Sequence, residues 1–197
     1  MLPWLDMAGL SVFAASGALQ AARARQTIIT FCFFAMVTGT GGGTTRDLLI
    51  GAPVFWLHNP TPIAICLGVA VLVFFTPRRS WPERALDWCD ALGLAAYAVY
   101  GAGKALGYGI PPLPAAIMGI VTATMGGIIR DMVAGVPSII LRPELYVTAA
   151  ALASGLFVVL TVAGLPAPWP AVIAALGGFA LRAAAIARGL ALPAYRN

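Results

Sequence analysis

The chain has 197 residues, of which 60% are hydrophobic and only 10% charged, with a formal net charge of +5 and a mean hydropathy of +0.91. Soluble domains carry about 25% charged residues, so a water-soluble domain is excluded and an integral membrane protein is implied. The twelve Lys and Arg lie scattered between apolar runs, where they act as topology signals and not as a nucleic-acid patch.

In chain order, the first predicted span covers residues 4–22. Its basic residues, Arg23 and Arg25, follow the apolar run instead of preceding it, so it reads as a retained helix and not as a cleaved leader. The second covers 28–50 and ends in a Gly- and Pro-rich turn, GAPVFWLHNPTP, with Trp56 as an interfacial anchor. A third, 60–76, stops at Pro77 before the polar loop PRRSWPER. The fourth covers 86–104, the fifth 112–134 and the sixth 144–163, and LPAPWP separates a seventh at 168–187. Each is expected to be long enough for the roughly 20 residues a bilayer crossing needs. The expected fold is therefore all-α, with seven transmembrane helices in a single membrane domain over 1–197.

Arg23 and Arg25 follow the first span, Arg78, Arg79 and Arg84 the third, Arg142 the fifth, and Arg188 and Arg196 the seventh. The intervening loops at 51–59 and 164–168 carry no Lys or Arg. The positive-inside rule then places the C-terminus in the cytoplasm and the N-terminus outside.

Two copies of one motif organise the chain. TGTGGGTTRDLLIGAP (38–53) matches TATMGGIIRDMVAGVP (122–137), and the same offset of 84 positions pairs Asp6 with Asp90, Gly9 with Gly93 and Gly17 with Gly101. Equivalent residues lie three spans apart, an odd number, so the copies cross the membrane in opposite directions. Two inverted three-helix repeats result, about 4–76 and about 86–163, with the extra helix at 168–187 outside them. Many transport proteins share this plan, with a site near the midplane where interrupted helices meet.

The motif itself suggests an ion pathway. Gly41, Gly42 and Gly43, and Gly126 and Gly127, disfavour a continuous helix by roughly 1 kcal/mol per residue, so interruptions are expected there, the first larger than the second. Freed carbonyls, with the hydroxyls of Thr38, Thr40, Thr122 and Thr124, would replace part of a cation's hydration shell. Arg46, Asp47, Arg130 and Asp131 are costly inside a bilayer and are expected to face the interior in pairs. Neighbouring helix positions do not face each other, so Arg46 is expected to reach Asp131, and Arg130 to reach Asp47. Lys104, near the end of the fourth span, is a candidate for gating or voltage sensing.

No enzymatic, cofactor or metal site is expected. The glycine clusters lack a P-loop lysine, His58 is the only histidine, and Ser16 and Ser154 have no base in their segments. Three cysteines, Cys32, Cys66 and Cys89, make no disulfide framework.

The stretches GGGTTRDLLIGAPVFWL and GGIIRDMVAGVPSIILRPELYVTAA, with the tail LRAAAIARGLALP, resemble the prokaryotic branch of the trimeric intracellular cation (TRIC) channel family over nearly the whole chain. Two departures are Met125, which stands where the first copy has Gly41, and Leu190, where an aromatic is expected after Gly189. The resemblance implies a homotrimer in a bacterial or archaeal inner membrane, surrounded by membrane lipids. It also implies one pore per subunit, lined by kinked second and fifth helices, passing monovalent cations with potassium foremost. Some bacterial relatives of this type are regarded as possible glycine transporters. The alternative is therefore a secondary transporter of a small amino acid such as glycine. Inverted repeats fit both, and the channel is favoured because no constellation for an amino-acid carboxylate and amine stands apart from the Arg-Asp pairs.

Overall fold

The computed structural model describes residues 3–193; Arg196, counted above as a topology signal, lies outside them. Seven α-helices follow in order: α1 (Pro3–Arg23), α2 (Ile28–Leu49), α3 (Thr61–Phe75), α4 (Ala85–Gly107), α5 (Pro112–Val133), α6 (Val147–Val162) and α7 (Trp169–Arg188). Helices α1, α2 and α3 pack against one another, as do α4, α5 and α6. The two trios meet chiefly through α1 against α4 and α2 against α5, while α7 packs mainly on α4 and α6. The seventh helix thus breaks an otherwise twofold arrangement.

The interior is built from small side chains and the exterior from large ones. Ala14, Ala18, Ala35, Ala98, Ala123 and Ala153 are fully buried, whereas Leu48, Phe75, Leu113, Met132 and Leu176 stand exposed. Water would penalise that arrangement. Lipid does not, because small residues let helices approach and the large apolar ones meet acyl chains. Helices α2, α5 and α7 are long and apolar enough to cross a membrane. Helices α3 and α6 are shorter than their expected spans, at 15 and 16 residues. Prolines bound α3 at Pro60 and Pro77, and a 3₁₀ turn at Ile139–Leu141 delays the start of α6 to Val147.

Helices α2 and α5 cross at the glycine clusters. A Cβ on Gly42 would collide with the Thr122 carbonyl oxygen, and one on Gly126 with the Thr38 carbonyl oxygen. The two contacts exchange under the 84-residue offset, so the axis of the inverted repeat runs through this crossing. The expected interruptions at Gly41–Gly43 and Gly126–Gly127 are absent: both helices are continuous. The physical reason is that the missing side chains make room for neighbours, backbone at Gly42 and Gly126, the Phe55 ring at Gly43 and the Tyr146 hydroxyl at Gly127, instead of releasing their own carbonyls. Thr44 and Thr45 also bond the Thr40 and Gly41 carbonyls at 2.8 and 2.9 Å, within the helix.

Both helices stop in the same way. Gly51 (φ +67°) and Gly135 (φ +66°) adopt the left-handed conformation that ends a helix. The following amides then turn back, Ala52 N–H to Asp47 O at 2.8 Å and Val136 N–H to Asp131 O at 3.1 Å.

The crossing predicts a sharp difference between glycines. Gly42→Ala forces backbone apart from backbone and is expected to cost about 1–3 kcal/mol, lowering the melting temperature of the detergent-solubilised protein. Gly68→Ala, where a Cβ meets nothing within 4 Å, should leave melting unchanged. Equal melting of the two variants would show that α2 and α5 do not bear on each other there.

Candidate functional site

Beyond the crossing, α2 carries Arg46, and α5 carries Arg130 in the opposite direction. Each begins a cluster of buried charge. In the first, Asp47 Oδ1 accepts from Arg46 Nε at 2.9 Å and lies 2.8 Å from its Nη2. The same oxygen accepts from Lys104 Nζ at 2.8 Å. Asp47 Oδ2 accepts the Phe55 backbone N–H at 3.1 Å, and the Arg46 guanidinium lies 5.2 Å from the centre of the Tyr100 ring. Arg46 and Asp47 are essentially inaccessible, while the Lys104 side chain keeps 15% of its surface.

The second cluster repeats the scheme with different neighbours. Arg130 Nε donates to Asp131 Oδ1 at 2.8 Å, and Asp131 Oδ2 accepts the Ile139 N–H at 2.8 Å. Arg130 Nη1 donates to Asp90 Oδ1 at 2.7 Å and to Ser16 Oγ at 3.0 Å. Phe55 and Ile139 are themselves repeat equivalents. The Gly-x-Pro turn thereby swings the backbone round so that an amide eight residues on holds the carboxylate.

The expected cross-pairs, Arg46 with Asp131 and Arg130 with Asp47, do not form. In an antiparallel crossing the two motifs run away from each other. At about 1.5 Å per residue they end about 20 Å apart along the bundle. Each Arg instead curls onto its own neighbour. The rule against adjacent pairs concerns where Cβ atoms point, and a guanidinium on a flexible stem escapes it once the carboxylate is turned by the loop amide.

The remaining candidate residues surround the crossing. Thr38, Thr40, Thr122 and Thr124 are buried, as are Gly42, Gly43, Gly126 and Gly127, with Gly41 half-buried. Thr40, Thr122 and Thr124 donate to carbonyls four residues back in their own helices, at 2.8, 2.6 and 2.9 Å. Their oxygens keep acceptor capacity, and Thr38 Oγ1 has no hydrogen-bond partner among the described residues. Because both helices are continuous, no carbonyl is freed by unwinding for a cation, and hydroxyl and carboxylate oxygens are the ligands this region offers.

Sequence reasoning missed several members. Asp90 is fully buried on Arg130. Its signal was present, since the repeat pairs it with Asp6, a second acid within a span. Ser16 and Tyr100 are also repeat equivalents, each meeting the Arg of the other half. Arg182, an arginine inside the apolar seventh span, is fully buried.

Comparison with known proteins places these features. A family model described as "Glycine transporter" matches the chain twice, over residues 3–78 and 87–162. The Escherichia coli (strain K12) inner membrane protein YadS, of the UPF0126 group, is 40% identical over 149 residues, covering 74% of this chain and 72% of that protein. The TRIC trimeric intracellular cation channel orthologue of Rhodobacter sphaeroides superposes with a TM-score of 0.90 at 44% identity, over 95% of this chain and 97% of that one. A prokaryotic TRIC channel in 0.5 M KCl gives a TM-score of 0.87 at 26% identity, over 96% and 98% of the two chains.

The clusters predict an order of sensitivity. Asp47→Asn removes the carboxylate with which the buried Arg46 pairs, a loss of about 3–5 kcal/mol read as a large fall in melting temperature, whereas Asp131→Asn should cost less because Arg130 keeps Asp90. Lys104→Gln should be much milder, since Arg46 and the Phe55 amide still hold Asp47. A Lys104→Gln loss as large as that of Asp47→Asn would show that the lysine, not the arginine, is the principal partner.

Proposed function

Since the chain belongs to the prokaryotic trimeric intracellular cation channel family, we propose that it is a channel for monovalent cations, potassium foremost. It works as a homotrimer with a separate pathway in each subunit, running alongside the crossing of α2 and α5. The N-terminus faces outward and the C-terminus the cytoplasm, following the loop arginines. The observation that carries this reading is the placement of two charge clusters on opposite sides of a midplane crossing, with threonine oxygens between them. Charged groups inside a membrane domain are costly and mark ion routes, and here they stand in series along one helix pair.

In this mechanism the Thr38, Thr40, Thr122 and Thr124 oxygens provide partial coordination at the centre, and the clusters set the barrier at each end. Asp47 and Asp131 attract cations, while Arg46 and Arg130 keep those carboxylates tethered, so that entering ions bind weakly and leave again. Lys104 has the freedom to gate. Its partner Asp47 is already held by Arg46 and a backbone amide, so Lys104 can leave without stranding a charge. One elementary charge moved through the full field is worth about 2.3 kcal/mol per 100 mV, enough to bias such a release by voltage.

The test is recording from purified protein in planar bilayers. Discrete unitary potassium currents that need no glycine are expected, and Lys104→Gln should weaken their voltage dependence. The family model's description offers the rival carrier reading. That reading prevails if no unitary current is seen at any voltage while proteoliposomes accumulate labelled glycine against its gradient.

A further inference from the structure

The two clusters carry the same motif but not the same charges. The first cluster gathers two acids, Asp6 and Asp47, and two bases, Arg46 from the first repeat and Lys104 from α4 in the second. Under the 84-residue offset Asp6 becomes Asp90, Asp47 becomes Asp131 and Arg46 becomes Arg130, but Lys104 becomes Gln20. The second cluster therefore holds two buried carboxylates against a single arginine. Asp90 is fully buried and Asp131 nearly so, a setting in which an uncompensated carboxylate is expensive.

The missing cation comes from outside the repeat. Arg182, on α7, is fully buried. Its guanidinium lies 5.2 Å from the centre of the Tyr146 ring. The hydroxyl of that ring converges with Asp90 Oδ1 and Arg130 Nη2 above Gly127, lying 2.9, 3.2 and 3.6 Å from the point where a Cβ would stand. Arg182 Nη1 is 2.8 Å from Glu144 Oε2, an ion contact without hydrogen-bond alignment. Arg182 Nε and Nη2, Asp90 Oδ2 and the Tyr146 hydroxyl have no hydrogen-bond partner among the described residues. The arginine is thus not saturated by Glu144. It is held between that half-exposed acid and the second cluster, and its remaining donors are uncommitted.

The helix is anchored for this placement. The chain after α7 forms a bridge with the segment before α6, pairing Ala191 with Glu144, and Leu192 N–H donates to Pro143 O at 2.8 Å. A cleft of about 410 Å³ bordered by Glu144, Tyr146, Thr148 and Leu192 opens beside the same junction.

We propose that Arg182 is the second cation of the Arg130–Asp131–Asp90 cluster, doing from α7 what Lys104 does from α4 for the first cluster, and that it sets the barrier to cations at that end of the pathway. The barrier rests on the channel reading above, whereas the charge balance does not. Arg182 acts by positioning charge, and it meets the cluster through the Tyr146 ring.

The test is a rescue series in the full-length protein. Arg182→Gln should change the ratio of inward to outward unitary potassium conductance by about twofold or more, because one end of the pathway loses a positive charge. Arg182→Lys should keep the wild-type ratio. The double variant Arg182→Gln with Gln20→Lys should return to it, since the new lysine occupies the position equivalent to Lys104. An unchanged ratio in Arg182→Gln, or failure of both the lysine variant and the double variant to restore it, overturns the proposal.

Melting temperatures of the same detergent-solubilised proteins read the balance without current. A fall in Arg182→Gln that Gln20→Lys reverses supports the proposal even if the wild type is silent, in which case only the channel reading fails. A fall that Gln20→Lys does not reverse marks Arg182 as a mere staple between helices and overturns it.

Discussion

The backbone contact between α2 and α5 governs the rest of the molecule. Gly42 lies against the Thr122 carbonyl and Gly126 against the Thr38 carbonyl, and no residue with a side chain fits at either point. This contact fixes where the helices cross and thereby where the pseudo-twofold axis passes. It also fixes how far from the midplane the two Arg-Asp pairs must lie. Moving the crossing by one turn would carry one pair toward the centre and the other toward the surface. The charges hold their places in depth because the glycines hold theirs.

Such charges are not an economical way to stabilise a bundle. Two desolvated ions in a low-dielectric interior often gain less from each other than apolar packing of equal volume would give. The clusters go beyond simple pairs. Asp47 takes two cations and a backbone amide, and Arg130 takes two acids and a hydroxyl. A group with several partners can lose one without becoming an orphan. The proposed release of Lys104 draws on that redundancy, since Asp47 is also held by its own loop amide.

Most of the architecture was legible in the sequence because it depends on patterns that composition and spacing carry. Seven apolar runs, an offset of 84 positions and the odd number of spans between copies lead directly to two inverted trios and an unpaired helix. The Gly-x-Pro stops were legible too, since only glycine ends a helix cheaply in the left-handed conformation. Two expectations failed for one reason. The interruptions at the glycine clusters and the cross-pairs between motifs both treated each helix by itself. A glycine's use depends on what lies opposite, and here it is another backbone, which leaves the helix intact. Which acid an arginine meets depends on the direction and depth of crossing, and antiparallel helices separate residues equally distant from their contact point. Arg182 escaped notice because nothing on α7 repeats. Only the tertiary arrangement shows it beside Tyr146.

The inverted repeat makes the two ends of the bundle equivalent in backbone but not in chemistry. Where the first cluster draws Tyr100 and Lys104 from α4, the second has Ser16 and Gln20 on α1. An aromatic face and a movable ammonium are thus replaced by a hydroxyl and a neutral amide, and the seventh helix brings a different cation on a different stem. A lysine with 15% of its side-chain surface accessible stands open to solvent, while the Arg182 guanidinium is fully buried. In the proposed mechanism one end changes and the other stays, although both carry the same motif. A pathway of the kind proposed is then asymmetric between its ends, and ions crossing in opposite directions would meet Lys104 first in one case and last in the other.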